Sequence, residues 1–229
     1  MSRRRVTLGI GAVLLALACV DSTGPPIENM SLGDIGLVAS VAGDDGSNVE
    51  PHILKQADNM PLLATYTVSF WAVRGETRSA TIRYRASAAV GDDGDEDDEA
   101  RGDIFLSLEI PRRALRRYPD GSKIGKNDAV LITITVDPTR FLLTLQPTGL
   151  VFSRKHPARL FISYAGAVRD FDFDGDVDEV DEFVEAHHLG LWSQEQEGDP
   201  WYPYFAEQSL TERWFLGRLR HFSGHVISW

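Results

Sequence analysis

Six aspartates within twelve residues form the one stretch of this chain whose side-chain types and spacing specify a chemistry. Residues 170–181 read D-F-D-F-D-G-D-V-D-E-V-D. Counted from Asp170, carboxylates fall at positions one, three, five, nine and twelve, with Gly175 at six and Val177 at eight. This is the spacing of a calcium loop. A hard cation of that size takes roughly six to eight oxygens, and a twelve-residue loop gathers them by folding sharply at its sixth position, where glycine tolerates the unusual backbone angles. In this reading Asp170, Asp172 and Asp174 bind through their side chains, Asp176 through its backbone carbonyl, Asp178 through a water, and Asp181 closes the site. The alternative is an acidic surface turn that holds no metal.

Such a loop needs rigid elements on either side. The pattern after it predicts a helix over 179–188, with Val180, Phe183, Val184 and His187 on one face that would pin the loop to a core. An ordinary EF-hand closes with glutamate, which binds through both oxygens, whereas this loop closes with Asp181. The D-x-D-x-D-G-x-V-D-x-x-D pattern, the closing aspartate and the single following helix resemble one half of a bacterial dockerin. That family carries two such repeats and this chain has one, so the resemblance does not extend to cohesin binding.

Residues 1–18 read as an export signal: Arg3, Arg4 and Arg5, then an apolar run from 6 to 18 that is too short to span a bilayer. The run ends L-A-L-A-C, and Cys19 is the only cysteine. This resembles the lipobox of bacterial lipoproteins, which implies that Cys19 is lipidated and becomes the new N-terminus. A plain A-x-A cleavage site is the alternative. With one cysteine there is no intrachain disulfide, so stability outside the cell must come from the core and from any bound metal. Removing the leader takes the formal charge from −11 to −14. A chain that acidic lacks the basic footprint that nucleic-acid binding needs.

Residues 19–34 read as a tether, with S-T-G-P-P and little apolar content. From 35 onward the pattern is strands: weakly over 36–41, then 63–73 and 79–86, joined by a hairpin through Arg74-Gly75-Glu76. The acidic run G-D-D-G-D-E-D-D-E at 91–99 reads as a loop between strands, or as a weak calcium sponge without defined geometry. Strands resume at 104–110, 129–136, 141–145, 151–152 and 159–164, and after the calcium helix at 191–193, 201–207, 212–218 and 221–229. Many short strands with turns between them predict an antiparallel β-sandwich over 35–229, mainly β, with the loop and short helix at 170–189 inserted. Between strands, Arg112, Arg113, Arg116 and Arg117 would form a basic stripe if 111–118 were helical. It would pair with the acidic loops or contact an anionic lipid or polymer.

Five segments occur in order: F-L-S-L-E-I-P-R-R-A-L at 105–115, I-T-I-T-V-D at 132–137, L-Q-P-T-G-L-V-F at 145–152, P-A-R-L-F-I-S-Y at 157–164 and H-F-S at 221–223. Together they resemble the ZU-five domain, the β-sandwich of ankyrins, netrin receptors and zonula occludens proteins and of bacterial secreted relatives. The resemblance covers 105–229 and implies that the calcium loop is an insertion between strands. Some relatives cleave themselves between the phenylalanine and serine of H-F-S. In this chain that implies attack by the Ser223 hydroxyl on the preceding carbonyl, assisted by His221 and dependent on a strained peptide bond. Alternation along the segment places His221, Ser223 and His225 on one face and Phe222, Gly224 and Val226 on the other. The alternative is a last strand that places Phe222 in the core.

Other motifs carry less. Adjacent His187 and His188 point about 100° apart on a helix and make no zinc pair. Neither G-x-S-x-G nor G-x-x-x-x-G-K occurs. Trp71, Trp192, Trp201, Trp214 and Trp229 would be core and rim, or a platform for carbohydrate. The sequence therefore predicts an exported, lipid-anchored sandwich, not a conventional enzyme, with calcium as its cofactor. Its expected role is binding or structural, toward a protein or polysaccharide at the cell envelope, with membrane contact only through the lipid. Self-cleavage and carbohydrate binding are the alternatives.

Overall fold

The computed structural model describes residues 51–85 and 101–229. The leader, Cys19, the tether, the weak strand at 36–41 and the acidic run at 91–99 lie outside the described residues. Thirteen strands and one helix follow in order: β1 (Thr67–Val73), β2 (Arg78–Arg85), β3 (Arg101–Ile110), β4 (Leu115–Arg117), β5 (Ala129–Val136), β6 (Leu142–Gln146), β7 (Val151–Phe152) and β8 (Ala158–Ser163), then α1 (Glu179–His187), β9 (Gly190–Gln194), β10 (Tyr202–Tyr204), β11 (Ala206–Ser209), β12 (Trp214–Leu219) and β13 (Gly224–Ser228).

They form a β-sandwich. One sheet has six strands in the order β1-β5-β6-β13-β9-β10, the other five in the order β11-β12-β8-β3-β2, and β4 pairs β7 in a two-stranded ribbon. Alternation builds the core from each strand. β5 buries Val130, Ile132, Ile134 and Val136 while Leu131 faces out, and β8 buries Ala158, Leu160 and Ile162 in the same core. A register shift opposite Ile82 and Arg83 leaves Phe105 as an extra residue in β3, so both Phe105 and Leu106 turn inward. Phe105 then meets Tyr84 edge-on at 5.6 Å and Phe141 at 5.6 Å.

Three expectations need correction. The turn at 74–76 is not a hairpin, because β1 pairs β5 in one sheet and β2 pairs β3 in the other. The cause lies in adjacent backbone groups: Arg74 N–H donates to Asp128 O at 2.9 Å, next to β5, while Gly75 N–H donates to Arg112 O at 2.9 Å, next to β3. The turn thus bridges the sheets, with Gly75 at φ 110°. Residues 111–118 are a turn and strand β4 instead of a helix, since Leu115 pairs Phe152 and its side chain is buried. The strand expected at 201–207 is two strands: β10 pairs β9 in the six-stranded sheet, β11 pairs β12 in the five-stranded one, and exposed Phe205 marks the crossing.

Candidate metal centre

The loop at 170–181 leaves β8 through a turn and leads directly into α1. Its backbone is shaped by its own carboxylates. Asp170 Oδ2 accepts from Gly175 N–H at 3.1 Å, Asp172 Oδ1 from Asp174 N–H at 3.3 Å, and Asp174 Oδ1 from Asp176 N–H at 2.9 Å. Gly175 sits at φ 98°, as the sixth position requires. Phe173 holds φ 66°, a conformation unusual for a bulky side chain. It leans on Trp229, with ring centroids 6.0 Å apart, while Phe171 is buried edge-on against the same indole at 5.1 Å.

These turns bring oxygens of Asp170, Asp172 and Asp174 within 4.8 Å of one another. Asp170 Oδ1 is buried and has no hydrogen-bond partner. The Asp172 carboxyl is held above the usual carboxylate range: loss of solvent raises it, the Asp174 N–H opposes that, and the charges of Asp174, Asp181 and Asp178 push it further up. An unpaired buried carboxylate oxygen inside a cluster of like charges fits a hard divalent cation, which would satisfy the orphan and cancel the repulsion.

The side chains of the other three expected ligands lie outside this cluster. Asp178 caps α1, its Oδ1 accepting from Val180 N–H at 2.8 Å. Asp181 is buried, and both its oxygens accept from backbone: Oδ1 from Phe171 N–H at 2.5 Å and Oδ2 from Asp178 N–H at 3.0 Å. Each oxygen keeps a further lone pair, so Asp181 joins the two ends of the loop whether or not it also meets an ion. Asp176 is exposed, with its side chain outside the cluster of three.

The helix docks by a different face from the one its apolar residues mark. Asp181, Val184 and Glu185 are buried, whereas Phe183 and His187 are exposed. Glu185 is the residue that sequence reasoning passed over. Its carboxylate pairs with Arg213 at 2.9 Å, and Gln208 Nε2 donates to the Glu185 carbonyl at 3.1 Å and to Tyr164 Oη at 2.9 Å. Nothing local to 179–188 signals that partner, because Arg213 lies on the far side of β9 to β11 in the chain. The aromatic ring of Phe183 covers His187 at 4.7 Å and His188 at 5.5 Å, and neither histidine belongs to a ligand cluster.

The residues of the H-F-S segment lie just before β13. Phe222 is buried against Phe152, centroids 4.8 Å apart. Ser223 and His225 are fully buried side by side, Ser223 Oγ 3.2 Å from His225 Nε2, and burial first, then the nearby His221, lowers the His225 pKa to about 3. His221, the expected helper, instead reaches Glu195 at 3.3 Å. The carbonyl of Phe222 accepts from Gly149 N–H at 2.9 Å, and neither Phe222 nor Ser223 has a positive φ. Gly224 lies in register between Thr144 and Gln194 with no bulge.

The tryptophans do not converge. Trp71 is exposed on β1, Trp192 lies in the same sheet with three strands between and donates to Ser228 O, Trp201 lies beside Gly224 of β13, Trp214 belongs to the other sheet, and Trp229 packs on the acidic loop. Among the described residues no helix is long and apolar enough to cross a membrane. Compared with protein-family models, with curated proteins and with solved structures, the chain matches none. Its class is thus defined by its own architecture, an antiparallel β-sandwich with one acidic loop and helix between β8 and β9.

Proposed function

We propose that this is an exported, lipid-anchored sandwich protein with a binding or structural role at the cell envelope, whose 170–181 loop takes up calcium. The observation that carries the calcium reading is the convergence of Asp170, Asp172 and Asp174 around a buried, unpartnered Asp170 oxygen. Supporting the ZU-five resemblance is the two-sheet antiparallel core, with the acidic loop and helix inserted between β8 and β9. Export and lipidation rest on the leader and Cys19.

The test is thermal unfolding with calcium and with a chelator. At ten times its dissociation constant, calcium adds about 1.4 kcal/mol, which for a chain of this size raises Tm by about 3–5 °C. Asp170→Asn is expected to abolish that rise while leaving the Tm in chelator close to the unsubstituted value. Equal melting in both conditions for the unsubstituted chain would remove calcium from the proposal.

A second reading, cleavage between Phe222 and Ser223, is favoured by the buried Ser223–His225 contact, which offers a neutral imidazole to accept the hydroxyl proton. Intact mass decides between the two. For the purified ectodomain, the first reading expects one species that runs to Trp229, and the second expects a fragment ending at Phe222 that disappears in Ser223→Ala.

A further inference from the structure

The arginines at 112, 113 and 116 do not form a lone stripe. They line a cleft of about 660 Å³ together with Arg74, Lys126 and Lys155. Two adjoining hollows add Arg117, Lys123 and Arg154. Nine of the chain's 23 lysines and arginines therefore gather at one end of a molecule whose formal charge is −11. Among the described residues none of the nine is in an ion pair. Arg74 and Arg117 donate instead to the carbonyls of Ile124 and Gly121, which fixes the guanidinium groups without neutralising them. The nearby carboxylates, Asp120 and Asp128, are engaged by the N–H groups of Ser122 and Gly125. No large exposed apolar side chain lines the cleft, so it lacks what insertion into a lipid surface uses, and it has no Trp, Tyr or Phe on which bases would stack.

We infer that this cleft receives the acidic run at 91–99 of a second copy of the chain, so that copies associate head to tail. The run carries seven carboxylates in nine residues, the complement of the cleft in sign and nearly in number. The β2–β3 pair sets the cleft and the two residues that flank the run's segment, Arg85 and Arg101, at opposite ends. At one end Arg78 pairs Ile110, and the chain continues directly into the cleft at Arg112. At the other end Arg85 pairs Arg101, and the residues that join them carry the run. Eight residues of β2 separate these ends by roughly 25 Å. Fifteen residues join Arg85 to Arg101, so each extended arm reaches roughly 25 Å, and the run would touch its own cleft only with both arms fully stretched along the sheet. A neighbour's cleft imposes no such stretch. Patches that are complementary but not identical make a heterologous contact, which builds a ring where the rotation between copies closes and an open assembly where it does not. Because the groups are solvated, the attraction is long-range in dilute salt and screened in concentrated salt.

Sedimentation velocity on the full chain, with chelator present, tests this. At about 10 mM salt the apparent mass is expected to be at least twice that of one chain, falling to a single chain at about 1 M. One variant carries Arg112→Glu, Arg113→Glu and Arg116→Glu, all at exposed positions, and another carries Asp95→Asn, Glu96→Gln, Asp97→Asn and Asp98→Asn. Each is expected to remain a monomer alone, and an equal mixture of the two is expected to form a dimer and nothing larger, because the intact run of the first fills the intact cleft of the second. A chain that is monomeric at both salt concentrations, or a mixture that yields no dimer, overturns the inference.

Discussion

Asp181→Ala is expected to lower the unfolding free energy by about 2–4 kcal/mol even in the presence of chelator. The substitution removes the acceptor for Phe171 N–H, which lies next to a fully buried ring, and leaves that donor without a partner. It also dissolves the capping box in which Asp178 and Asp181 satisfy each other's backbone groups at the start of α1. Both losses are independent of metal. Asp181→Asn keeps one carbonyl oxygen for Phe171 but turns an amide donor toward Asp178 N–H, so a smaller loss of about 1 kcal/mol is expected. Urea unfolding in chelator reads the difference as a lower midpoint with unchanged slope. If Asp181→Ala matched the unsubstituted chain in chelator and differed only with calcium, the residue would be a metal ligand alone.

The second large effect is acid sensitivity through His225. In the folded protein its pKa is about 3 against an ordinary value of 6.5, so between those limits the unfolded chain holds a proton that the folded chain refuses. Stability from this site is complete above pH 6.5 and falls by about 1.4 kcal/mol for each unit of pH below it. At pH 4.5 the loss from this site is about 2.7 kcal/mol, to which the carboxylates, ordinarily titrating near about 4, add their own change. Chemical denaturation at pH 7.0, 5.5 and 4.5 measures the slope. His225→Gln carries no titrating ring, so whatever it costs at pH 7, its stability should change far less over this interval. Identical slopes for the two proteins would show that the buried imidazole is not the source.

Much of the fold was legible because it is local. Alternation at 129–136 and 159–164 marks one buried face, and the three aspartates that converge, Asp170, Asp172 and Asp174, lie within five consecutive residues. What escaped depended on partners distant in sequence. A turn such as 74–76 has the same composition whether the strands beside it pair with each other or with β5 and β3, and only the hydrogen bonds to Asp128 and Arg112 decide between these. The buried face of α1 was misread because polar Asp181 and Glu185 lie inward, where amides and Arg213 satisfy them, while apolar Phe183 lies outward. His225 looked equivalent to His221 in the alternation, but β13 lies between β6 and β9 and encloses only the later residue.

That position of β13 also dictates an order of assembly. Its residues arrive after every other strand, yet they hold the middle of the six-stranded sheet, with β5-β6 on one side and β9-β10 on the other. Until Gly224–Ser228 is synthesised, these two parts of the sheet have open edges and are joined only through the core they share with the five-stranded sheet. The six-stranded sheet therefore stays incomplete, and in need of protection from aggregation, until those five residues have been made.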